Sequence, residues 1–298
     1  MQHNAADNDD SAPINPPARE PLRDRAIGSI IAEANKLNAD EVERILAYQK
    51  SHGVKFGEAA VALGLAKGED VLWALSQQFH YPYAPGSEKA SEELVLASRP
   101  FGHQAEAIRT LRSQINMLIY GAGEPKRALA VISPDSGDGK TFFAANLAVA
   151  FSQLGGRTLL VDADMRNPRQ HQVFGVDNAN GLSGILSGRA EKNVIRPVAN
   201  LPSLFVLPVG TLPPNPTELV ERPAFGLLMR ELVAKFDHVI VDTPAASHGA
   251  DYAVIAARSG AALALARKDI TRIAALQELV HTLSPSPVKL AGVVMNEH

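Results

Sequence analysis

A glycine-rich stretch, SPDSGDGKT at residues 133–141, constrains the fold more than any other part of this sequence. It lies between an apolar run at residues 129–132 and a helix-compatible run, FFAANLAVAF, that follows it. A phosphate-binding loop requires strand, glycine-rich turn and helix in this order, because the N–H groups of the turn and of the helix N-terminus then converge on an anion. The stretch therefore predicts a site for a nucleotide phosphate.

The residue types within the loop suit this chemistry. Gly137 and Gly139 allow close approach of the backbone to a phosphate, Lys140 can reach the β and γ phosphates, and a threonine hydroxyl can bind Mg²⁺. Pro134 breaks the common pattern G-x-x-x-x-G-K-S/T at its first position, so a glycine turn that only caps a helix is the alternative. The predicted nucleotide-binding residues of the loop and helix start are Ser136, Gly137, Asp138, Gly139, Lys140, Thr141 and Phe142.

Carboxylates follow two further apolar runs. LLVDADMR, at residues 159–166, carries Asp162 and Asp164, and HVIVDTPA, at residues 238–245, carries Asp242. Residues two apart share a strand face, so Asp162 and Asp164 can point to one site if the chain stays extended there. One such aspartate alone is typical of a helix cap. Three of them in a chain with GDGKT favour a magnesium–nucleotide site.

From residue 103 onward, near-continuous apolar strands alternate with amphipathic helices. This alternation predicts an α/β fold, with a mostly parallel sheet covered by helices on both faces. Ligands in such sheets bind beyond the carboxyl ends of the strands, where all the polar motifs above are found. We therefore expect a P-loop domain at residues 103–298.

The sequence before this domain has three parts. Residues 1–24 are polar and contain several prolines, which predicts a disordered tail. Residues 25–80 carry a weak repeat of paired helices, in which Gly28 and Gly57 are equivalent, and predict a small helical domain. Residues 81–102 begin with proline, glycine and charge and predict a linker.

Composition excludes several classes of function. The sequence contains no cysteine, which excludes disulfides and thiolate catalysis, and no two histidines have the helical spacing of a zinc site. A formal net charge of -3 gives no electrostatic footprint for nucleic acid, so we expect no nucleic-acid partner. No apolar stretch approaches the ~20 residues that span a bilayer, and no signal-peptide pattern occurs. We therefore expect a cytoplasmic protein.

GDGKT, DADMR and VDTP, in this order and at these strand ends, resemble the Walker A, Walker A′ and Walker B motifs of bacterial tyrosine kinases. The similarity continues through GLSGILSG at residues 181–188 and LPVGTLPPNPTELV at residues 207–220. With the helical domain in front, the chain resembles the chain-length-determinant tyrosine kinases of exopolysaccharide operons. This resemblance implies an Mg-ATP-dependent kinase that regulates exopolysaccharide polymerisation and export.

The resemblance also implies roles for individual residues. Lys140 and Thr141 would bind phosphate and Mg²⁺, and Asp242 would bind Mg²⁺ through water. Asp162 would be the base toward an incoming hydroxyl, with Asp164 assisting at the metal or as the base. The implied catalytic residues are Lys140, Asp162 and Asp164, and the implied metal-site residues are Thr141, Asp164 and Asp242.

Other residues match the family outside the phosphate loop. Glu106, Arg109 and Arg112 match its E-x2-R-x2-R helix, which mediates oligomerisation in such kinases, although three-residue spacing also suits a solvated charge stripe. Asn296 would contact adenine or would only form a turn. The implied partner is an inner-membrane chain-length determinant, through which the protein would associate peripherally with the inner membrane.

The second helical repeat matches a known dinucleotide-binding motif better than the first repeat does. Lys55-Phe56-Gly57 approximates the Arg/Lys-Leu-Gly motif in the N-terminal domains of type II secretion and pilus assembly ATPases, a motif that can bind cyclic di-GMP. The resemblance therefore implies cyclic di-GMP as a ligand, and a protein-docking module is the favoured alternative.

Two alternatives to a tyrosine kinase are considered. The tyrosine-rich C-terminal tail of the family is absent before His298, so an ATPase or a nucleotide-dependent adaptor without tyrosine kinase activity is an alternative. A partitioning-type positional ATPase is another. That class carries a signature lysine where this sequence has Asp135, which disfavours it.

Overall fold

The computed structural model describes residues 27–78, 91–100, 102–189 and 192–297. The predicted tail, and residues 81–90 of the predicted linker, lie outside the described residues. The chain divides into two compact units, Met1–Tyr81 and Pro82–His298.

Four helices form the described part of the first unit and coincide with the predicted helix pairs. They are α1 (Ile27–Ala34), α2 (Ala39–His52), α3 (Phe56–Ala62) and α4 (Gly68–Gln78). Asn38 begins α2 with a capping box, because its side chain accepts from the Glu41 N–H and the Glu41 carboxylate accepts from the Asn38 N–H, each at 2.9 Å. Gly53 ends this helix at φ 65°, a left-handed conformation that favours glycine.

Close helix packing accounts for the glycine of the second repeat. A Cβ on Gly57 would lie 2.5 Å from Cγ1 of Val71 in α4, so α3 and α4 approach each other there only because no side chain intervenes. A Cβ on Gly28 would meet the Phe56 ring at 3.5 Å, an ordinary contact. The buried residues of this core are Ile30, Ile31, Ile45, Ala59, Ala60, Ala66 and Ala74.

The described residues of the second unit form seven strands, nine α-helices and a short 3-10 helix at Ala246–His248. The strands are β1 (Ala128–Ile132), β2 (Thr158–Asp162), β3 (Arg196–Val198), β4 (Leu201–Leu207), β5 (His238–Asp242), β6 (Gly260–Arg267) and β7 (Lys289–Asn296). The helices are α5 (Val95–Ser98), α6 (His103–Ile119), α7 (Lys140–Ser152), α8 (Gln170–Val173), α9 (Leu182–Leu186), α10 (Pro216–Glu221), α11 (Pro223–Lys235), α12 (Asp251–Ser259) and α13 (Ile273–Leu283). Within the described ranges, no helix is both long enough and apolar enough to cross a membrane.

The seven strands make one sheet in the order β3-β4-β2-β5-β1-β6-β7. Every neighbouring pair is parallel except β3 with β4. The prediction of an α/β fold with a mostly parallel sheet is therefore confirmed. Because β2, β5 and β1 are neighbours, their carboxyl ends meet at one edge of the sheet.

Alternate residues of β1 enter the cores on opposite faces of the sheet. Leu129 and Val131 belong to the core that includes α6 and α7, and Ala128, Ala130 and Ile132 belong to the core that includes α11, α12 and α13. Burial on both faces explains why the strands read as nearly continuous apolar runs. The α7 helix is also enclosed, since every residue from Phe143 to Ser152 is buried.

The structure differs from the predicted linker at residues 91–98. Leu94, Val95 and Leu96 are buried, and α5 packs against α7. The amide nitrogen of Asn146, a fully buried residue of α7, donates to the Glu93 carbonyl at 2.8 Å, and its oxygen accepts from the Leu96 N–H at 3.4 Å. The apolar residues LVLA follow the polar part of the predicted linker, and their burial places this end of it in the second unit.

Gly57→Ala should destabilise the first unit by roughly 1–3 kcal/mol, because the added methyl group overpacks against Val71. Gly68→Ala is the matched control, since Gly68 begins α4 and a Cβ there would meet nothing within 4 Å. Amide hydrogen exchange in α4 of the full chain measures both variants. Equal protection of α4 in the two variants would contradict the packing role of Gly57.

Candidate nucleotide and magnesium site

The two glycines of the phosphate loop adopt conformations that other residues rarely reach. Gly137 has φ 87° and Gly139 has φ 97°. Gly139 directly precedes α7, and its carbonyl accepts the first helical hydrogen bond, from the Phe143 N–H at 2.9 Å. Ser136 and Gly137 are exposed at the tip of the loop. The loop and the first turn of α7 thus present free N–H groups to an anion.

Side chains from distant strand ends brace this loop. Nδ2 of Asn296, the last residue of β7, donates to the Asp138 carbonyl at 3.0 Å, and a Cβ on Gly139 would lie 2.3 Å from the same nitrogen. The buried Asp138 carboxylate accepts from the Asp135 N–H at 2.9 Å and from the Thr271 hydroxyl at 3.1 Å. Asp138 and Asn296 therefore hold the loop in shape, and their predicted nucleotide contacts stay predictions.

Pro134 is compatible with the loop because its position needs only acceptors. The Ser133 carbonyl accepts from the Ala246 N–H at 3.0 Å, and the Pro134 carbonyl accepts from the Ser247 N–H at 2.9 Å. Both donors lie on the segment that follows β5. Proline lacks a backbone donor but keeps its carbonyl, so the break in the common motif costs the loop neither hydrogen bond.

Lys140 is held within the loop. Its side chain is in a residue only 6% exposed, and Nζ donates to Ser133 Oγ at 2.9 Å and to the Asp135 carbonyl at 3.3 Å. Burial lowers the pKa of Lys140, and neighbouring aspartates, Asp242 foremost, oppose that shift. The ammonium group therefore lies close to both the loop backbone and the carboxylate edge of the sheet.

Asp162 and Asp242 lie side by side at the carboxyl ends of β2 and β5. They are register partners in the parallel pairing, and both are fully buried. Burial raises the pKa of the Asp242 carboxyl to about 6, while the hydrogen bond from Gln170 and the nearby Thr141 hydroxyl act in the opposite direction. Burial, and then repulsion from Asp242, raises the pKa of Asp162 well above its usual range. A carboxyl whose pKa is about 6, as for Asp242, can exchange protons near neutral pH.

The condition that the chain stays extended from Asp162 to Asp164 is not met. The strand ends at Asp162, and the chain turns so that the Asp164 N–H donates to Asp162 Oδ1 at 3.2 Å. Asp164 Oδ1 in turn accepts from the N–H groups of Arg166 at 3.1 Å and Asn167 at 2.9 Å. An aspartate side chain can bond the backbone two residues on, which favours a turn over a continued strand.

Arg166 fixes this turn to a neighbouring helix. Its guanidinium donates to both oxygens of Asp251, with Nε at 2.8 Å from Oδ2 and Nη2 at 3.2 Å from Oδ1. Asp251 begins α12 and also accepts from the Thr217 hydroxyl. A bidentate pair restricts both partners, so the turn that carries Asp164 is anchored at a second point.

Gln170 is a site residue that the sequence pattern did not reveal. It is fully buried, its N–H donates to Asp162 Oδ2 at 3.0 Å, and Nε2 donates to Asp242 Oδ2 at 2.8 Å and to the Thr141 carbonyl at 3.1 Å. Nothing local marks it, because a glutamine at the start of a short helix carries no chemical signature and the partners of its side chain are distant in sequence.

The arrangement fits a hydrated magnesium ion bound with nucleotide. Among the described residues, no three acidic or histidine side chains converge into a direct metal cage. Mg²⁺ commonly keeps several waters and uses one or two protein groups with substrate phosphates. Oδ1 of Asp242 is buried without a hydrogen bond from any described residue, although the nearby Thr141 hydroxyl lowers the pKa of that carboxyl. An unsatisfied buried carboxylate oxygen beside the phosphate loop suits a water of such an ion.

The predicted charge stripe is already engaged within the second unit. Arg109 pairs with Glu106 on α6, and Arg112 donates to the Ala150 carbonyl in α7 at 3.1 Å.

The described tyrosines differ in how far they are buried. Tyr252 is 6% exposed, Tyr120 is partly buried with its hydroxyl donating to the Val239 carbonyl at 3.3 Å, and Tyr48 is half-buried; Tyr81 and Tyr83 lie outside the described residues.

Gly139→Ala should reduce nucleotide affinity by roughly 100-fold, because the new Cβ meets Asn296 Nδ2 and the backbone conformation becomes strained. Gly137→Ala shares the positive φ but meets nothing within 4 Å, so it should cost less. Binding of fluorescent ADP measures both. Equal losses in the two variants would show that the contact with Asn296 does not matter.

Asp242 should make the nucleotide-free protein less stable as the pH rises. Its folded pKa of about 6 lies above the ordinary 3.8, so between these values the folded state binds more protons than the unfolded chain. The free energy of unfolding therefore falls over this window, and the loss persists above it. Asp242→Asn should be more stable than the natural chain by on the order of 2 kcal/mol at about pH 7.5, and nearly equal at about pH 4.

Urea unfolding at the two pH values, without nucleotide or magnesium, checks this expectation. Asp237→Asn, at a position that is not part of the carboxylate pair, is the control. If the natural chain instead became more stable relative to Asp242→Asn between about pH 4 and pH 7.5, the raised pKa of Asp242 would be contradicted.

Comparison with known proteins agrees with this geometry. Residues 129–298, more than half of the chain, match the family described as the CobQ/CobB/MinD/ParA nucleotide binding domain. The solved kinase domain of the Escherichia coli tyrosine kinase ETK superposes with a TM-score of 0.65 and 29% sequence identity, and the match covers 72% of this chain and 89% of that one.

Named tyrosine kinases are similar in sequence. The tyrosine-protein kinase wzc of Salmonella typhimurium is 32% identical over 205 residues, which cover 68% of this chain but only 28% of that protein. The tyrosine-protein kinase CpsD of Streptococcus agalactiae is 30% identical over 195 residues, which cover 65% of this chain and 85% of that protein. The chain therefore belongs to the bacterial tyrosine kinase family, within the CobQ/CobB/MinD/ParA group of nucleotide-binding domains.

Proposed function

We propose that this protein is an Mg-ATP-dependent protein tyrosine kinase that regulates exopolysaccharide chain length, polymerisation and export. The observation that carries the proposal is the meeting of Lys140, Asp162 and Asp242 at the carboxyl ends of neighbouring parallel strands, beside the open N–H groups of the loop. Phosphoryl transfer requires positively charged groups and metal-binding carboxylates close to the phosphates of the donor.

Each group has a role that its surroundings support. The loop N–H groups and Lys140 bind the phosphates, and the Thr141 hydroxyl and Asp242 are the groups that would hold the metal, Asp242 through water. Magnesium supplies neutralisation of the charge that develops on the transferred phosphoryl group. Backbone N–H groups hold the carboxylates of Asp162 and Asp164 in place by hydrogen bonds.

Asp162 is the proposed base. Its raised pKa gives its carboxylate a stronger affinity for a proton than an ordinary aspartate has, so it can accept the proton of an incoming tyrosine hydroxyl as the oxygen bonds to phosphorus. ADP leaves with the electrons of the broken bond. Asp164, next to it in the turn, assists at the metal or at the base.

The tyrosines of the second unit limit which hydroxyl receives phosphate. Tyr252 is buried and the Tyr120 hydroxyl is engaged by a backbone carbonyl, so both are poor acceptors within the folded unit. This supports an acceptor outside the described part of the second unit, on this chain or on another. An inner-membrane chain-length determinant is the proposed partner, and peripheral attachment of a cytoplasmic protein to the membrane follows from that partnership.

Two further parts of the proposal concern assembly and regulation. The helix face with Glu106, Arg109 and Arg112 is proposed to mediate homo-oligomerisation, in keeping with the family's motif. The helical unit is proposed to dock protein partners in preference to cyclic di-GMP. The packing of Gly57 against Val71 weakens the argument for cyclic di-GMP, since it gives that glycine a structural reason to be present.

An ATPase or nucleotide-dependent adaptor is the second candidate. The shielding of Tyr252 and Tyr120 favours it, because a switch that hydrolyses or only binds ATP needs no acceptor tyrosine. Both candidates use the same nucleotide site, so they differ only in the fate of the phosphate.

The purified protein should release ADP and form phosphotyrosine when it is incubated with Mg-ATP and the cytoplasmic segments of a chain-length determinant. Lys140→Met should abolish both products by removing the charge that contacts the phosphates. Mass spectrometry locates the modified hydroxyl. Lys126→Met, before β1, is the control.

ADP release without phosphotyrosine, with the partner segment present, would reject the kinase and leave the ATPase. Nucleotide-dependent oligomerisation without any turnover would favour the adaptor.

A further inference from the structure

Gln170 joins all three parts of the candidate site. Its backbone N–H donates to Asp162, and its side-chain amide donates to both Asp242 and the Thr141 carbonyl of the first turn of α7. We propose that Gln170 is a positioning residue of the magnesium site, which holds the Asp242 carboxylate against the start of α7 and thereby sets the affinity for Mg²⁺. This inference rests on the magnesium–nucleotide part of the proposed function, not on the identity of the phosphate acceptor.

The orientation of the amide follows from its partners. Asp242 Oδ2 at 2.8 Å and the Thr141 carbonyl at 3.1 Å are both acceptors, so only the NH₂ end of the amide can lie between them. The amide oxygen is consequently left over, and it is buried without a hydrogen-bond partner among the described residues. The structure therefore has one orientation of Gln170 that satisfies its neighbours.

The unsatisfied oxygens distinguish a ligand-oriented residue from a core filler. Gln170 Oε1 and Asp242 Oδ1 belong to two groups that touch each other, and each is buried without a partner. Native interiors leave few polar atoms in this condition, because losing hydration without a replacement bond is unfavourable. Waters of a hydrated Mg²⁺ are hydrogen-bond donors, and two neighbouring acceptors match them in chemistry.

The link to Thr141 gives the amide its second function. Thr141 is the residue whose hydroxyl would bind the ion, and Gln170 holds its backbone carbonyl at a fixed separation from Asp242. Removing the amide frees the carboxylate to move away from the metal position without touching the loop N–H groups that bind phosphate. Affinity for magnesium and affinity for the nucleotide should therefore respond differently.

Gln170→Met tests this separation, since methionine keeps the length and approximate volume of the side chain but cannot donate a hydrogen bond. Isothermal titration of the full chain measures the affinity for Mg²⁺ at saturating ADP, and the affinity for ADP in excess EDTA. We expect the Mg²⁺ affinity to fall roughly tenfold or more, in the range found for outer-shell ligand partners, and the metal-free ADP affinity to change less than about twofold. Gln172→Met, an exposed residue of the same short helix, should change neither.

A parallel fall in both affinities would mean that Gln170 has only a structural role, and an unchanged Mg²⁺ affinity would equally overturn the inference. If Gln170→Met does not fold, Gln170→Asn gives the same test, because its amide is one methylene too short to bridge Thr141 and Asp242. A natural chain that binds ADP but shows no magnesium dependence would overturn both the inference and the proposed function. If nucleotide binding by the natural chain depends on magnesium but Gln170→Met leaves the Mg²⁺ affinity unchanged, the inference alone would be overturned.

Discussion

The register of the parallel strands is the constraint on which the rest of the site depends. Pairing of β5 with both β1 and β2 sets Val131 and Asp162 opposite Asp242. A slip of one residue would turn the carboxylates to the other face of the sheet, away from the phosphate loop. The apolar residues of β1, buried alternately in the two cores, prevent that slip. Core packing on both faces of the sheet thus positions polar groups that contribute nothing to the core.

The same register places two carboxylates where their charges are unfavourable. Asp162 and Asp242 are fully buried, and each lies beside the other with only partial compensation from hydrogen-bond donors. Gln170 supplies a donor to each of them. Such a cluster is retained at the cost of stability in the absence of ligand, which is typical of sites organised for a charged ligand. The nucleotide-free fold and the ligand-bound fold are therefore favoured by different charge states.

Local patterns were sufficient for the parts of the site that lie at strand ends. An apolar run followed by aspartate identifies both Asp162 and Asp242. The run predicts a buried parallel strand, and the aspartate then lies at the carboxyl end of that strand, where ligands bind. Gln170 and Thr271 could not be found in this way, because their side chains bond to site residues at least 29 and 133 positions away, respectively. The apolar pattern alone does not decide whether the chain stays extended to Asp164, because this side chain competes locally with strand extension. The apolar residues 94–96 were read with the polar segment before them, so their packing on α7 was not anticipated.

The bracing of the loop by Asn296 also bears on how the chain reaches its working form during synthesis. The loop and its helix are synthesised before the strands that flank β1, and the hydrogen bond to the Asp138 carbonyl comes from the last residue of β7. Contacts of such long sequence separation form late, after their loop-closure entropy has been overcome. A nascent chain arrested before residue 271 lacks both side chains that close the loop. The shape of the phosphate loop therefore depends on residues that are synthesised at least 133 residues after it.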